Sequence, residues 1–267
     1  MMSTIQHYLR VYAVRFKFSF KIFSHSLVNF FIGVSAFLLI QAGGLLFINV
    51  LFQQVPQIEG FDLNQMIALY GFAQMTRGLD HFYSDYLWIF ATKGVVRGEY
   101  DKYLTRPLSP LFQIIIECVQ FDALGEIIIG VALYIYAVQQ LAIDVNVAFV
   151  LKTLLFIMIG CVVYTCLKII GAAAAFWMKR SFSVVKALYS VADFAKYPIT
   201  IYPQVMQMLL TYLLAYSFTA YYPIKYLMIT SMQLSDMVQM VMIISVLIII
   251  THWIWKEGEK RYESSGA

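Results

Sequence analysis

Two neighbouring apolar stretches of this chain carry charges that lipid would not tolerate singly. Arg77, Asp80, His81 and Asp85 sit in one, and Glu117, Asp122 and Glu126 sit in the next. The first group recurs at helical spacing, so its members share one face. A charge at the centre of a bilayer costs roughly 2.5–3.5 kcal/mol on insertion scales, so such residues face the protein interior and pair. Counted from the basic end at about 1.5 Å per residue, Arg77 reaches the depth of Asp122 and Glu126, which makes those two its expected partners. Four uses remain open on spacing alone: a polar path or gate, a membrane-embedded enzyme, an ion-coupled secondary carrier, or ion pairs that lock two spans together. Of the other lysines in apolar runs, Lys152 can snorkel to an interface, whereas Lys168 is deeper and is expected to face protein.

Other chemistry lacks its motifs. No GxxxxGK[ST] loop is present to cradle nucleotide phosphates, and there is no HExxH or GxSxG. His7, His25, His81 and His252 are scattered, and Cys118, Cys161 and Cys166 lie in apolar runs without CxxC or Cys/His spacing. The expectation is therefore no catalytic residue, no metal ligand and no cofactor held by this chain.

The elements that must position the charges are membrane helices. The chain has 267 residues, 61% hydrophobic and 13% charged, against about 25% charged in ordinary soluble domains. Its mean hydropathy is +0.74. Several runs reach the roughly 20 apolar residues a spanning helix needs, and barrel-type alternation is absent. The expected fold is all-α and polytopic, a single transmembrane domain over 1–267 with six spans. The spans fall at about 27–51, 64–91, 111–138, 148–178, 182–197 and 237–255.

Residues 1–25 form an expected interfacial helix with no cleavable signal peptide. Ile5, Tyr8, Tyr12, Phe16, Phe20 and Phe23 share an aromatic face, opposite Arg10, Lys17 and Lys21. The plainer alternative is the cytoplasmic start of the first span. Lys and Arg collect in the N-terminus, the 92–111 loop, the 179–180 turn and the KEGEKR tail, which puts both termini in the cytoplasm and requires an even number of spans. The net charge of +4 follows this sorting and does not indicate nucleic acid. Between Arg180 and Asp236 there are two candidates for one span. Pro198, Pro203 and Pro223 break helices, so 182–197 is assigned as the fifth span and 203–230 as a re-entrant outer segment. The reverse assignment stays open, because Lys186, Asp193 and Lys196 make 182–197 short and polar.

The 92–111 loop holds Gly98-Glu99-Tyr100-Asp101-Lys102-Tyr103-Leu104-Thr105-Arg106-Pro107-Leu108-Ser109-Pro110. Charged and partly apolar, it is either a plain connector or a grip for a cytoplasmic partner. This run resembles a loop of type-2 ABC permeases, most closely a small, six-span bacterial branch with an R-P-x-S-P signature. The runs Tyr197-Pro198-Ile199-Thr200-Ile201-Tyr202-Pro203 and Tyr221-Tyr222-Pro223 also look like that branch, which has short broken outer helices before its last span.

The resemblance covers the whole chain in topology and these motifs in sequence. It implies the transmembrane subunit of an ATP-driven exporter in the bacterial cytoplasmic membrane, forming half of the translocation path. A separate ABC ATPase subunit would bind ATP and Mg. A second permease, the same or a sister chain, would complete the path. The coupling residues it implies are Glu99, Tyr100, Asp101, Tyr103, Leu104 and Arg106. The substrate is not legible.

Overall fold

The computed structural model describes residues 4–264, and the side chain of Ile5 lies outside the described set. All regular structure among these residues is helical, apart from one isolated bridge between Ile58 and Phe61. The helix α1 spans Thr4–Ser24, α2 Leu27–Gln54 and α3 Leu63–Ser84. Two short helices follow, α4 at Asp101–Leu104 and α5 at Pro110–Ile115. Then come α6 at Leu124–Gln140, α7 at Val147–Ala173, α8 at Phe182–Ala192 and α9 at Leu234–Lys260. Among the described residues, four stretches are long and apolar enough to cross a membrane: Phe30–Gln54, Phe121–Gln140, Val147–Met178 and Leu234–Lys260. Helix α3 is not among them because Asn64, Gln65, Gln74 and His81 join Arg77 and Asp80 in making it too polar, and α8 is too short at 11 residues.

Local chemistry sets the helix starts. Asp62 Oδ1 accepts from Gln65 N at 2.8 Å while Gln65 Oε1 accepts from Asp62 N at 3.0 Å, a reciprocal cap for α3. Asn146 Oδ1 accepts from Phe149 N at 2.9 Å and caps α7. Such caps are worth about 1 kcal/mol each. Helix α3 is interrupted at Ser84–Asp85, where the Ser84 hydroxyl donates back to the Asp80 carbonyl at 2.7 Å. It then continues through Tyr86–Ile89 into a π-turn at Phe90–Gly94.

Helix α3 is central. It packs along α6, and a Cβ on Gly71 would stand 2.8 Å from Tyr134 N, and one on Gly130 2.7 Å from Met75 N. Such backbone contact needs glycine on both sides, the usual device for close helix approach in membranes. Helices α7 and α8 cover the other side of α3, and α9 packs on α7. Helix α2 is the least embedded: Gln41 and Ile48 are buried, while Val28, Phe31, Leu39, Ile40 and Phe47 are exposed.

Three expectations change. The third span is not continuous from 111, since residues 117–120 are non-helical between α5 and a 3-10 turn at Phe121–Ala123. The freed amides find partners: Val119 N donates to Ser19 Oγ at 3.2 Å and Gln120 N to Phe82 O at 3.0 Å. Glu117 therefore lies at this break and not within a spanning helix. The aromatic side of α1 is also not its free face. Tyr8 packs on Phe112, and Phe16, Phe20 and Phe23 on Phe121. Leu9, Val14, Phe18, Phe20 and Ile22 are exposed, Phe20 in spite of its contact with Phe121.

Helix α8 is followed by a 3-10 turn at Asp193–Lys196. Residues 203–230 are a series of short pieces, with helices at Gln204–Met208 and Tyr221–Ile224, π-turns at Leu209–Leu213 and Lys225–Ile229, and Ala215 at φ 57°.

Candidate functional site

The deepest charges form a chain across α3, α7 and α8. Lys168 Nζ from α7 lies 2.8 Å from Asp80 Oδ2 and 2.9 Å from Asp85 Oδ1. Asp80 is 0% and Lys168 1% exposed. Asp80 is fully satisfied: besides Lys168 it accepts from Ser84 Oγ at 2.7 Å, Thr165 Oγ1 at 2.9 Å and Tyr189 Oη at 2.7 Å. A carboxylate is held at such depth only with a cation and a full set of donors. Lys168 also sits beside the α3 interruption, donating to Ser84 Oγ at 3.0 Å. A cation at the end of a helical segment is favoured by the partial negative charge of its unpaired carbonyls.

Tyr189 is the hub. Its ring stacks on His81 with centroids 5.3 Å apart and 13° between planes. The Arg77 guanidinium lies 5.3 Å from the ring centroid and Lys168 Nζ 5.0 Å from it. Such cation–π contacts contribute about 0.5–2 kcal/mol each, more where water is excluded. Spacing did not single out Tyr189. Its only signal was a polar aromatic residue in a short span otherwise marked by charges.

The sequence-derived pairing of Arg77 changes. Arg77 Nη1 meets Asp193 Oδ1 at 2.8 Å, at the end of α8, rather than Asp122 or Glu126. Glu126 Oε2 instead meets His81 Nδ1 at 3.1 Å. Arg77 and His81 stand one helical turn apart on α3, so the turn nearer α6 takes Glu126 and the other reaches α8. Asp193 could have been suspected as a carboxylate inside a candidate span that lacked a stated partner.

His81, Asp85, Asp122 and Glu126 converge on one cavity of about 250 Å³, closed on the other side by Gly33 and Phe37 of α2. The structure thus brings together four of the seven charges expected within the membrane, and Glu117 lies apart at the break before the third span. Asp80 and Arg77 are turned away toward α7 and α8. Among the described residues, no group of three or more His, Cys, Asp or Glu side chains has the arrangement to hold a metal ion. The arrangement can hold a polar wall against α2.

A second assembly lies at the basic end. Phe90, Tyr100, Tyr103, Phe176 and Trp255 form a buried aromatic core with Ala172, Ala173 and Val185. Tyr100 donates to Glu259 Oε1 at 2.6 Å, and Trp255 Nε1 donates to the same oxygen at 2.9 Å. Tyr262 and Ser264 donate to Asp101 at 2.8 and 2.6 Å. Burial, and after it the Asp101 carboxylate, push the Tyr262 hydroxyl up to about 12, and burial holds Tyr100 and Tyr103 well above the ordinary phenol range. The 179–180 turn joins the same end through Ser181 N donating to Ala91 O at 2.8 Å.

The 98–110 loop therefore divides into two sets of residues. Tyr100 and Tyr103, which composition offers as anchors for a partner, are taken up by the chain's own core, and Asp101 by its C-terminal residues. Glu99 is half-buried, 3.7 Å from Lys93. Leu104 is 52% exposed, and Thr105, Arg106 and Pro107 are exposed beside it. Gly98 takes φ 65°, which turns the chain into α4. Pro110 begins α5, a position where its missing N–H costs nothing.

A family model described as ABC-2 family transporter protein matches residues 38–266. Neither the curated proteins nor the solved structures give a match.

Proposed function

The chain belongs to the ABC-2 transporter family, and on that premise we propose that this transmembrane permease is one half of an ATP-driven exporter whose ATP hydrolysis resides in a separate ABC ATPase subunit. The family is a transport component, and this chain carries no phosphate-binding loop of its own. In this reading the partner holds ATP and Mg, and a second permease, identical or a sister chain, completes the path. The chain crosses the bacterial cytoplasmic membrane six times with both termini inside. Residues 203–230 form the re-entrant outer segment.

The observation that carries the reading is the attachment of the 92–111 loop. Tyr100, Tyr103 and Asp101 weld it to α7, α9 and the C-terminal residues, leaving Leu104 to Pro107 outward. A push on the exposed edge would reach three spans through one aromatic core, where side chains are packed without room to yield. Tyr100, Asp101 and Tyr103 then transmit motion, while Leu104 and Arg106, with Glu99 at their flank, meet the ATPase. The charges Arg77, Asp80, His81, Asp85, Asp122 and Glu126 divide between two of the four roles left open by the sequence. The cavity group lines the path, and the Asp80–Lys168 group is structural.

The test is co-purification with an ABC ATPase encoded beside this chain, and the ATPase rate of the complex. A chain that purifies alone and transports without nucleotide would overturn the reading.

A further inference from the structure

Helix α1 and the turn after α4 enclose a cavity of about 280 Å³, which shares Arg106 with the edge that the transport reading turns toward the ATPase. His7 and Arg15 enter it from α1, Arg106 from the turn and Gln113 from α5. Arg106 makes no ion pair with any described carboxylate. Arg15 Nη2 lies 3.0 Å from Glu117 Oε2, but Lys102 Nζ also approaches Glu117, at 3.4 Å. One acid is thus shared by two cations, and the cavity keeps a positive balance.

Gln113 is 3% exposed, its Nε2 donating to the carbonyls of Tyr103 and Leu108 at 3.0 and 2.9 Å. Its Oε1 is buried without a partner. Leaving such an acceptor unmet costs about 1–3 kcal/mol, so a ligand that brings a donor is favoured. Ile116 lines this cavity and also a second, apolar one of about 240 Å³ walled by Tyr12, Phe112 and Ile115.

The three demands together are an anion, a hydroxyl donor beside it and an apolar tail. We propose that this is a binding site for an anionic phospholipid with a hydroxylated headgroup, phosphatidylglycerol being the simplest. Its phosphate lies between Arg15 and Arg106, its headgroup hydroxyl donates to Gln113 Oε1, and an acyl chain runs along the apolar cavity. The guanidinium fork suits phosphate oxygens. The bound lipid clamps α1 to the start of α5, adding to the contact that Ser109 N makes with Tyr8 Oη at 3.2 Å. Because Arg106 also belongs to the edge that the ATPase reading uses, the lipid site is tested with the permease alone, where failure of one reading leaves the other untouched.

The test uses the full chain without any ATPase subunit, in nanodiscs of phosphatidylcholine with and without phosphatidylglycerol, read by thermal unfolding and by native mass spectrometry of retained lipid. Phosphatidylglycerol is expected to raise the midpoint and to be retained. Arg106→Gln, an exposed replacement whose midpoint in phosphatidylcholine checks its folding, is expected to weaken retention by roughly fivefold or more, the worth of one basic residue at a membrane surface. Arg180→Gln, on the exposed turn after α7, is expected to leave it unchanged. An equal loss in both variants would mean general surface attraction and overturn the site. So would an equal shift with phosphatidylethanolamine, which lacks the net charge, or with glycerol 3-phosphate alone, which lacks the chains.

Discussion

Lys168 Nζ stands 2.8 Å from Asp80 Oδ2 with both side chains out of contact with solvent, and it binds Asp85 on its other side. Removing either member strands a charge where nothing else compensates it, a loss of about 3–5 kcal/mol. Lys168→Met is expected to lower the unfolding midpoint of the chain in lipid steeply. Lys168→Met with Asp80→Asn is expected to recover part of that loss. A double variant as unstable as the sum of the singles would show that the pair does not act as one unit.

Arg77 and Asp193 are partly open, unlike the sealed pair of Lys168 and Asp80, so their coupling is expected to be the smaller of the two. The sign of the coupling is the useful readout. Arg77→Ala combined with Asp193→Asn should cost less than the two losses added, whereas Arg77→Ala with Asp122→Asn should be additive. Measured stabilities in which Asp122 couples and Asp193 does not would restore the pairing drawn from depth alone.

The contact of Gly71 with Gly130 leaves no room for a side chain. Gly130→Val places carbon against the backbone of Met75, and overpacking of this kind costs about 1–3 kcal/mol. Reduced membrane yield and a lower midpoint are expected. Gly43→Val is the control, since a Cβ there meets nothing within 4 Å.

Loop variants should separate by burial. Tyr103→Ala empties a site in the aromatic core and should cost about 3–5 kcal/mol in the isolated chain, whatever its partner. Leu104→Ser with Arg106→Glu touches exposed side chains and, in phosphatidylcholine, should leave the midpoint within about 0.5 kcal/mol of wild type, while lowering retention of the ATPase subunit and the stimulated ATPase rate. A complex indifferent to the second change would remove this edge from the coupling surface.

Topology is checked by labelling in intact cells, in a background with Cys118 replaced by Ala. Gln57→Cys and Asp144→Cys are expected to react with an impermeant thiol reagent, and Lys102→Cys only after permeabilisation. Reaction at 102 from outside would overturn cytoplasmic placement of the loop.

The all-helical membrane class was legible in the sequence because it is a property of composition and period. Continuous apolar runs demand helices in lipid, and a row such as Arg77, Asp80, His81 and Asp85 falls along one broad side of the helix once the helix is granted. The prolines around 198–223 and the Gly98 and Pro107 pair mark breaks by covalent geometry. The family resemblance drawn from the R-P-x-S-P loop agrees with the family that residues 38–266 match.

Tertiary structure alone decided who meets whom. Depth along a helix is one coordinate, and it could not say that α3 turns Arg77 toward Asp193 and His81 toward Glu126, because rotation and neighbour order depend on where Gly71 and Gly130 let α6 approach. It could not show that Tyr100 and Tyr103 are buried, since a charged, aromatic loop has the same composition whether it serves a partner or its own core. Tyr189, an ordinary tyrosine in sequence, became the meeting point of three basic side chains through the placement of a short α8. Distance in space between residues remote in sequence is set by the packing of all the helices together, and no local pattern encodes it.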